Sequence, residues 1–289
     1  MLMEAYLDSF VDTFVVPFRK PNTVKCYQRA FRTLPRGILS ADLQELNGLM
    51  LQAALNSKAS KHPRAAQLQH ACLSVAMKKA VELGFVQKSP MTGTIRPLHT
   101  AARAVVLTPA QLSAYIRRAR GEPCYLLLLL MAVCGLRRGE ALGLQWRDID
   151  LASGVLRIHQ QRIRIHHGYQ LQPLKSRASV RVLPIGGPLA RELSGIRVRS
   201  MSGFVFDTTP ETLRKAHLRV LGAEGLPPVT LHGLRHSMAT LAAAQGCPMK
   251  VLQGILGHSK YDLTANLYAD HLSSENFADH LEALQSVVL

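Results

Sequence analysis

Apolar residues recur at helical spacing along most of this chain and change to a two-residue alternation in one stretch near its middle. Val24, Tyr27, Phe31 and Leu34 share one face of a helix predicted over 22–34, while Lys25, Arg29 and Arg32 share another. Asn22 or Thr23, following Pro21, is the expected cap. A second helix is predicted from about Pro63 to Leu83, stopped by Gly84 and carrying Arg64, Lys78 and Lys79. One basic helix face is an ordinary solvated surface, but two in a small unit suit a surface that meets a polyanion. Pro90, Gly93 and Pro97 mark 88–107 as linker-like. Thr108-Pro109 then opens a helix as N-cap and first-turn proline. The next helix covers roughly 123–134 and is broken by Gly135, and another starts near Arg138. The longest apolar run, Tyr125 to Cys134, is too short to cross a bilayer and reads as a buried core helix. Over 153–186, apolar and polar residues alternate between turn signals at Gly154 and Gly168, predicting a small antiparallel sheet of three strands. Residues 210–289 return to helix: one element runs from near Thr230 to Gly246, the next from Pro248 to Gly257. The fold class expected is α+β and mostly helical, and 289 residues suit two domains.

Charge narrows the partner. Lys and Arg number 35 against 19 acids, a formal charge of +16, which points to nucleic acid. The excess is local: from Arg137 to Arg181 nine Lys and Arg face three acids, whereas Asp262 to Leu289 holds five acids and no Lys or Arg. The first stretch suits phosphates and the acidic tail suits packing on protein, on its own domain or on a neighbouring copy. Five scattered cysteines without a C-x-x-C pair argue for reduced thiols and a cytoplasmic setting. Glu4, Asp8 and Asp12 near the start argue against a signal peptide, and no membrane association is expected.

Several short segments carry chemistry. Arg137 stands at a helix entry with Glu140 three residues on, placed to pair with it. Taken alone that is a structural ion pair. Lys175 lies between two predicted strands, where a lysine is usually just solvated. His232 and Arg235 share one face of the first turn after the cap Thr230. Cationic groups weaken a helix N-terminus unless an anion binds there, so this conflict hints at function. His258 follows a helix stop at Gly257, and Tyr268 lies ten residues beyond it. Nothing in Tyr268 itself separates it from the other six tyrosines. His232 and His236 are spaced like zinc ligands, but Gly233-Leu234-Arg235 between them offers no glutamate base and its guanidinium repels a cation. A non-catalytic helix-turn-helix regulator is a second rival, because 231–256 mimics that motif.

The ordered set resembles the tyrosine recombinases of the phage integrase family. Gly135-Leu136-Arg137-Arg138-Gly139-Glu140 followed by Leu144-Gln145-Trp146-Arg147-Asp148-Ile149 matches its first box. Lys175 precedes Arg181-Val182-Leu183-Pro184 as the family's hairpin lysine does. His232 to His236, Leu256-Gly257-His258 and Tyr268-Ala269-Asp270-His271 complete the series. The resemblance covers about 106–275, with Cys134 standing where threonine is frequent and Tyr261 as a worse-spaced second tyrosine. It implies a helical, SAM-like core-binding domain over 1–95, a linker over 96–107 and a mixed α/β catalytic domain over 108–289 with a tail. It implies Tyr268 as nucleophile forming a 3′-phosphotyrosyl link, Arg137 and Arg235 clamping the phosphate, and Lys175 as general acid. His232 is implied as proton acceptor, His258 as a donor to the phosphate and Glu140 as the orienter of Arg137. Lys25, Arg29, Arg32, Lys78, Lys79, Arg138, Arg177 and Arg181 are the expected DNA contacts. No cofactor and no metal are needed. The partners implied are double-stranded attachment sites, a tetramer of the chain on DNA and, where required, accessory DNA-bending proteins. The role implied is integration or excision of a phage or other mobile element. A type IB topoisomerase shares this chemistry, but the short hairpin-bearing domain and the box spacing favour a recombinase.

Overall fold

A computed structural model describes residues 1–99, 104–165, 168–174, 176–195 and 203–259. The chain divides into two compact units, Met1–Ala102 and Arg103–Leu289. The first unit is helical: α1 (Met3–Phe10) runs into a π-helical turn, then α2 (Pro21–Arg32), α3 (Arg36–Leu39), α4 (Gly48–Ala59) and α5 (Pro63–Glu82). Its core gathers the apolar face of α2 as the periodicity predicts: Phe31 and Leu34 are buried, with Val24 and Tyr27 packed against them. Phe10 sits among four rings, its centroid 5.9–6.3 Å from those of Phe14, Tyr27, Tyr6 and Phe31. Two buried polar groups find carbonyls. The Tyr6 hydroxyl donates to Ala76 at 2.6 Å, and the Gln69 amide donates to Ala30 at 2.6 Å. The cap of α2 differs from expectation. Pro21 itself is the first helical residue and Lys20 precedes it, because the fixed φ of proline suits that position and its missing N–H costs nothing there.

The second unit is built on α7 (Tyr125–Val133), in which Leu126 to Ala132 are all buried. Each buried leucine contributes about 1.5–3 kcal/mol of transfer free energy, so α7 anchors the unit. Before it, α6 (Pro109–Ala119) opens on a complete capping box between Thr108 and Gln111. After it come α8 (Arg138–Leu142), β1 (Ile149–Asp150), β2 (Val155–Ile158), β3 (Gln160–Ile165), β4 (Gly168–Pro173), β5 (Arg181–Pro184), α9 (Gly187–Ser194), α10 (Pro210–Ala223), α11 (Leu231–Ala244) and α12 (Met249–Leu256). His217 on α10 is structural: it bonds the Tyr115 hydroxyl at 2.8 Å and the Val229 carbonyl at 2.9 Å.

The alternating stretch makes two sheets rather than one. A three-stranded antiparallel sheet has the order β1–β2–β5, and β3 pairs with β4 as a separate hairpin. The chain leaves the first sheet at His159, whose ring bonds Asp148 at 2.8 Å. Gln160 then donates to the Gly143 carbonyl at 3.1 Å, fixing the hairpin on α8. Gly143 permits that approach, since a Cβ there would lie 2.8 Å from the backbone nitrogen of Arg162. The mostly helical fold with small antiparallel sheets is therefore the expected class, with the sheet divided. Among the described residues no helix is long and apolar enough to cross a membrane.

Candidate active site

Helix ends converge in the second unit. Gly135, at φ +62°, turns the chain out of α7, and Gly257, at φ +63°, ends α12 in the left-handed conformation. The last carbonyls of α12 lack partners within the helix and carry its negative dipole end, so they attract cations. Three arginines answer them. Arg181 Nε donates to Ile255 at 2.6 Å, Arg235 Nη2 donates to Leu256, and Arg137 Nη2 donates to Gly257 at 3.1 Å. Arg235 also donates to the Gly135 carbonyl at 2.6 Å, which ties both glycine turns to one guanidinium. A helix C-terminus thus becomes a template that orients positive charge.

Glu140 completes the frame. One oxygen accepts from Arg137 Nη1 at 2.7 Å, and the other accepts from the Arg137 backbone amide at 2.9 Å and from Arg181 Nη2 at 2.9 Å. Burial pushes its carboxyl pKa up, but the bond and charge of Arg181, then the amide and charge of Arg137, outweigh this and hold it below the ordinary carboxyl value. The side chain of Arg137 is 34% exposed while that of Glu140 is 1% exposed, so a buried acid presents a solvent-accessible guanidinium.

The helix entry of α11 supplies the remaining groups. Thr230 caps it, accepting from the Gly233 amide at 2.9 Å. His232 and His236 stand one turn apart with ring centroids 4.5 Å apart, edge to face. The His232 side chain still reaches solvent. Even so, the protein packed around it, then the charges of His236, Arg235 and Arg137, push its pKa down to about 4. His258 is pushed to about 4 by burial and then by Arg235, Arg137 and both histidines. Burial, then Arg137, lowers Arg235 to about 9, which leaves it charged at neutral pH. Burial and mutual repulsion thus lower the proton affinity of Arg235, His232 and His258, and with Arg137 beside them the cluster gathers positive charge that an anion would offset. At neutral pH both imidazoles are neutral, so each can accept a proton at one ring nitrogen and donate from the other.

These groups carry chemistry only in the right protein context. The phage integrase family model matches residues 106–275. The chain belongs to the phage integrase family. Members are site-specific DNA strand-transferring enzymes, and this integrase-family chain is a tyrosine recombinase. It is 25% identical to a tyrosine recombinase XerC-like protein of Caldanaerobacter subterraneus, over 94% of this chain and 79% of that one. It is 27% identical to a putative prophage phiRv2 integrase of Mycobacterium tuberculosis, over 75% of this chain and 61% of the relative. Its fold is similar to that of the Tn1549 transposon integrase solved with a circular intermediate DNA. The TM-score is 0.83 and the identity 21%, over 98% of this chain and 99% of the other.

The structure brings Arg137, Glu140, His232, Arg235 and His258 of this integrase together through the bonds and charges just described. Lys175 and Tyr268 lie outside the described residues, as do Tyr261 and the acidic tail. The turn after position 175 is fixed to the cluster: Ser176 and Ser179 share a hydrogen bond at 2.9 Å, and Ser179 reaches the Gly257 carbonyl at 3.4 Å. Among the described residues no group of three or more His, Cys, Asp or Glu could hold a metal ion.

Several expected DNA contacts fall differently. Arg138 and Arg177 are exposed. Arg181 is not at the surface: its side chain is 6% exposed and its donors are taken by Glu140, Ser179 and Ile255. Strand alternation explains why, since Arg181 and Leu183 share the buried face of β5 while Val182 faces out. In the first unit, Lys25 and Arg29 line an 850 Å³ groove together with Lys58, Lys61, His62 and Arg64. Arg32 and Lys78 are exposed but do not line that groove. Lys79 is engaged locally, 3.0 Å from Glu82 and over the Phe14 ring at 5.0 Å. Lys58 and Lys61 were missed because α4, which carries Lys58, shows no single apolar face and Lys61 lies in the short turn after it, whereas Arg64 was read on the basic helix but not among the expected DNA contacts. Two lysines and an arginine flanking His62-Pro63 were the available signal.

Proposed function

We propose that this recombinase cuts and rejoins double-stranded DNA at attachment sites, with Tyr268 as nucleophile and the Arg137–Arg235 cluster as the phosphate clamp. The observation that carries this reading is the convergence of two fixed guanidiniums, Arg137 and Arg235, with two imidazoles, His232 and His258, where burial first and then neighbouring positive charge lower the pKa of Arg235, His232 and His258. A phosphate adds charge as it becomes five-coordinate in the transition state, so donors fixed beforehand stabilise that state more than the ground state. Arg137 and Arg235 would hold the non-bridging oxygens. The Tyr268 oxygen would attack phosphorus, passing its proton to neutral His232 and forming a 3′-phosphotyrosyl bond, while the bond to the 5′-oxygen breaks. Lys175 would protonate that leaving oxygen, and His258 would donate a hydrogen bond to the phosphate. The second strand's 5′-hydroxyl would reverse these steps, so the bond energy stays in the covalent link and no nucleotide cofactor is consumed.

The basic groove of Lys25, Arg29, Lys58, Lys61 and Arg64 would contact phosphates, as would the exposed Arg138 and Arg177. The unit Met1–Ala102 would then act as a DNA-binding domain and Arg103–Leu289 as the catalytic one. A tetramer on two duplexes, assisted where needed by DNA-bending proteins, would serve the movement of a phage or other mobile element. Free thiols at all five cysteines suit a cytoplasmic enzyme. The test uses a nicked suicide duplex that traps the covalent complex. Arg137→Ala or Arg235→Ala is expected to abolish trapping while DNA is still retained in a gel shift. Normal trapping by both variants would overturn the reading.

A further inference from the structure

Arg181 lies beneath the surface of the second unit, with donors on all three guanidinium nitrogens engaged inside the protein. It leaves β5 on the core face and donates from Nε to Ile255 at 2.6 Å, from Nη1 to Ser179 at 3.0 Å and from Nη2 to Glu140 at 2.9 Å. Its side chain is 6% exposed and that of Glu140 1%. The Glu140 carboxylate also holds Arg137, at 2.7 Å through its other oxygen. One buried acid therefore serves two guanidiniums. Arg137 and Glu140 alone would sum to zero charge. With Arg181 the group carries one net positive charge, and the exposed member is Arg137.

From this geometry we infer that Arg181 is a positioning residue for strand cleavage: it takes up the charge of Glu140, so that the carboxylate orients Arg137 without cancelling its attraction for phosphate. A buried carboxylate demands a cation. Deprived of Arg181, Glu140 would draw on Arg137 alone and pull it from the phosphate. Arg181 also fixes the frame around Arg137 mechanically. It holds the Ser179 carbonyl, and the Ser179 hydroxyl meets the same Gly257 carbonyl, at 3.4 Å, that Arg137 meets at 3.1 Å. The role rests on the reading of Arg137 as part of the phosphate clamp.

The experiment uses the full chain and measures the first-order rate of covalent complex formation on the nicked duplex at saturating DNA, together with DNA affinity. Arg181→Gln is expected to slow the rate by about tenfold to a hundredfold, the cost of a displaced catalytic group, with DNA affinity unchanged. Arg181→Lys, which keeps the charge, is expected to recover part of the rate. A substrate with sulfur at the bridging 5′ position, whose leaving group needs no acid, is expected to leave the defect undiminished. Three results would overturn the inference: a wild-type rate for Arg181→Gln, weakened DNA binding with a normal rate at saturation, or full rescue by sulfur. Should Arg181→Gln fail to fold, the double variant Glu140→Gln/Arg181→Gln removes both charges together. It is expected to cleave no more slowly than Glu140→Gln alone, and a slower double variant contradicts the inference. Arg137→Gln separates the two claims. If it cleaves normally, the clamp itself is wrong. If it is inactive while Arg181→Gln is normal, only the role of Arg181 falls.

Discussion

Replacing Glu140 by glutamine removes one charge and almost no volume, and the structure sets what this should cost. The contact that matters is with Arg181, at 2.9 Å between side chains 1% and 6% exposed. Without the carboxylate, Arg181 becomes a buried cation with no counter-charge, a loss of about 3–5 kcal/mol. The Arg137 contact adds little to this, because its side chain is 34% exposed and solvent screens it. A unit of this size loses about 2–4 °C of melting temperature per kcal/mol, so Tm should fall by about 6–20 °C. Circular dichroism melts of the full chain, wild type against Glu140→Gln, measure it. The pH dependence has a definite sign. The carboxyl of Glu140 is held below its ordinary pKa in the folded state, so its stabilisation is present above the ordinary value and is lost as pH falls through the lowered one. The gap between the two proteins should therefore be widest near neutrality and narrow in acid. A fall of less than about 2 °C at neutral pH, or a gap that persists unchanged in acid, would refute the assignment of Glu140 as the buried counter-ion.

His232 and His258 should titrate well below the ordinary histidine value in the free protein, and inorganic phosphate should raise both. Imidazole proton shifts followed by NMR report this, and no phosphate effect would argue against an anion site. Gly135→Ala should destabilise by about 1–2 kcal/mol from its positive φ alone. A Cβ there would also collide with Met238 Cε, so the loss should be smaller, but not absent, in a Met238→Ala background. Lys61→Ala with Arg64→Ala should reduce the salt dependence of DNA binding, flattening the slope of log K against log salt by about 1.8 for two lost phosphate contacts. Fluorescence anisotropy at several salt concentrations measures this slope, and an unchanged slope would place the DNA elsewhere.

Much of the candidate site was legible because its positions are dictated locally. Gly135 and Gly257 adopt positive φ, Thr230 caps α11, and Glu140 lies three residues from Arg137, so spacing alone placed them. The burial of Arg181 was legible in principle, since strand alternation puts it on the same face as Leu183, but a basic stretch reads as surface unless each residue is assigned a side. The split of the alternating stretch was not legible. It depends on His159 and Gln160 bonding Asp148 and Gly143, contacts that no local pattern announces. Helix α4 escaped notice for another reason. Gly48–Ala59 carries apolar residues around much of its circumference, so no single face stands out. Its start is fixed by the Asn47 side chain, which accepts from the Leu49 and Met50 amides.

The proposed reaction links Tyr268 to the 3′ end of a cut DNA strand. Trapping the complex on a suicide duplex, digesting it with protease and sequencing the DNA-bearing peptide by mass spectrometry identifies the linked residue directly. A nucleotide is expected on the peptide containing Tyr268 and no trapped complex from Tyr268→Phe, while Tyr261→Phe traps normally. A nucleotide on Tyr261, or trapping that survives Tyr268→Phe, would contradict the proposed reaction.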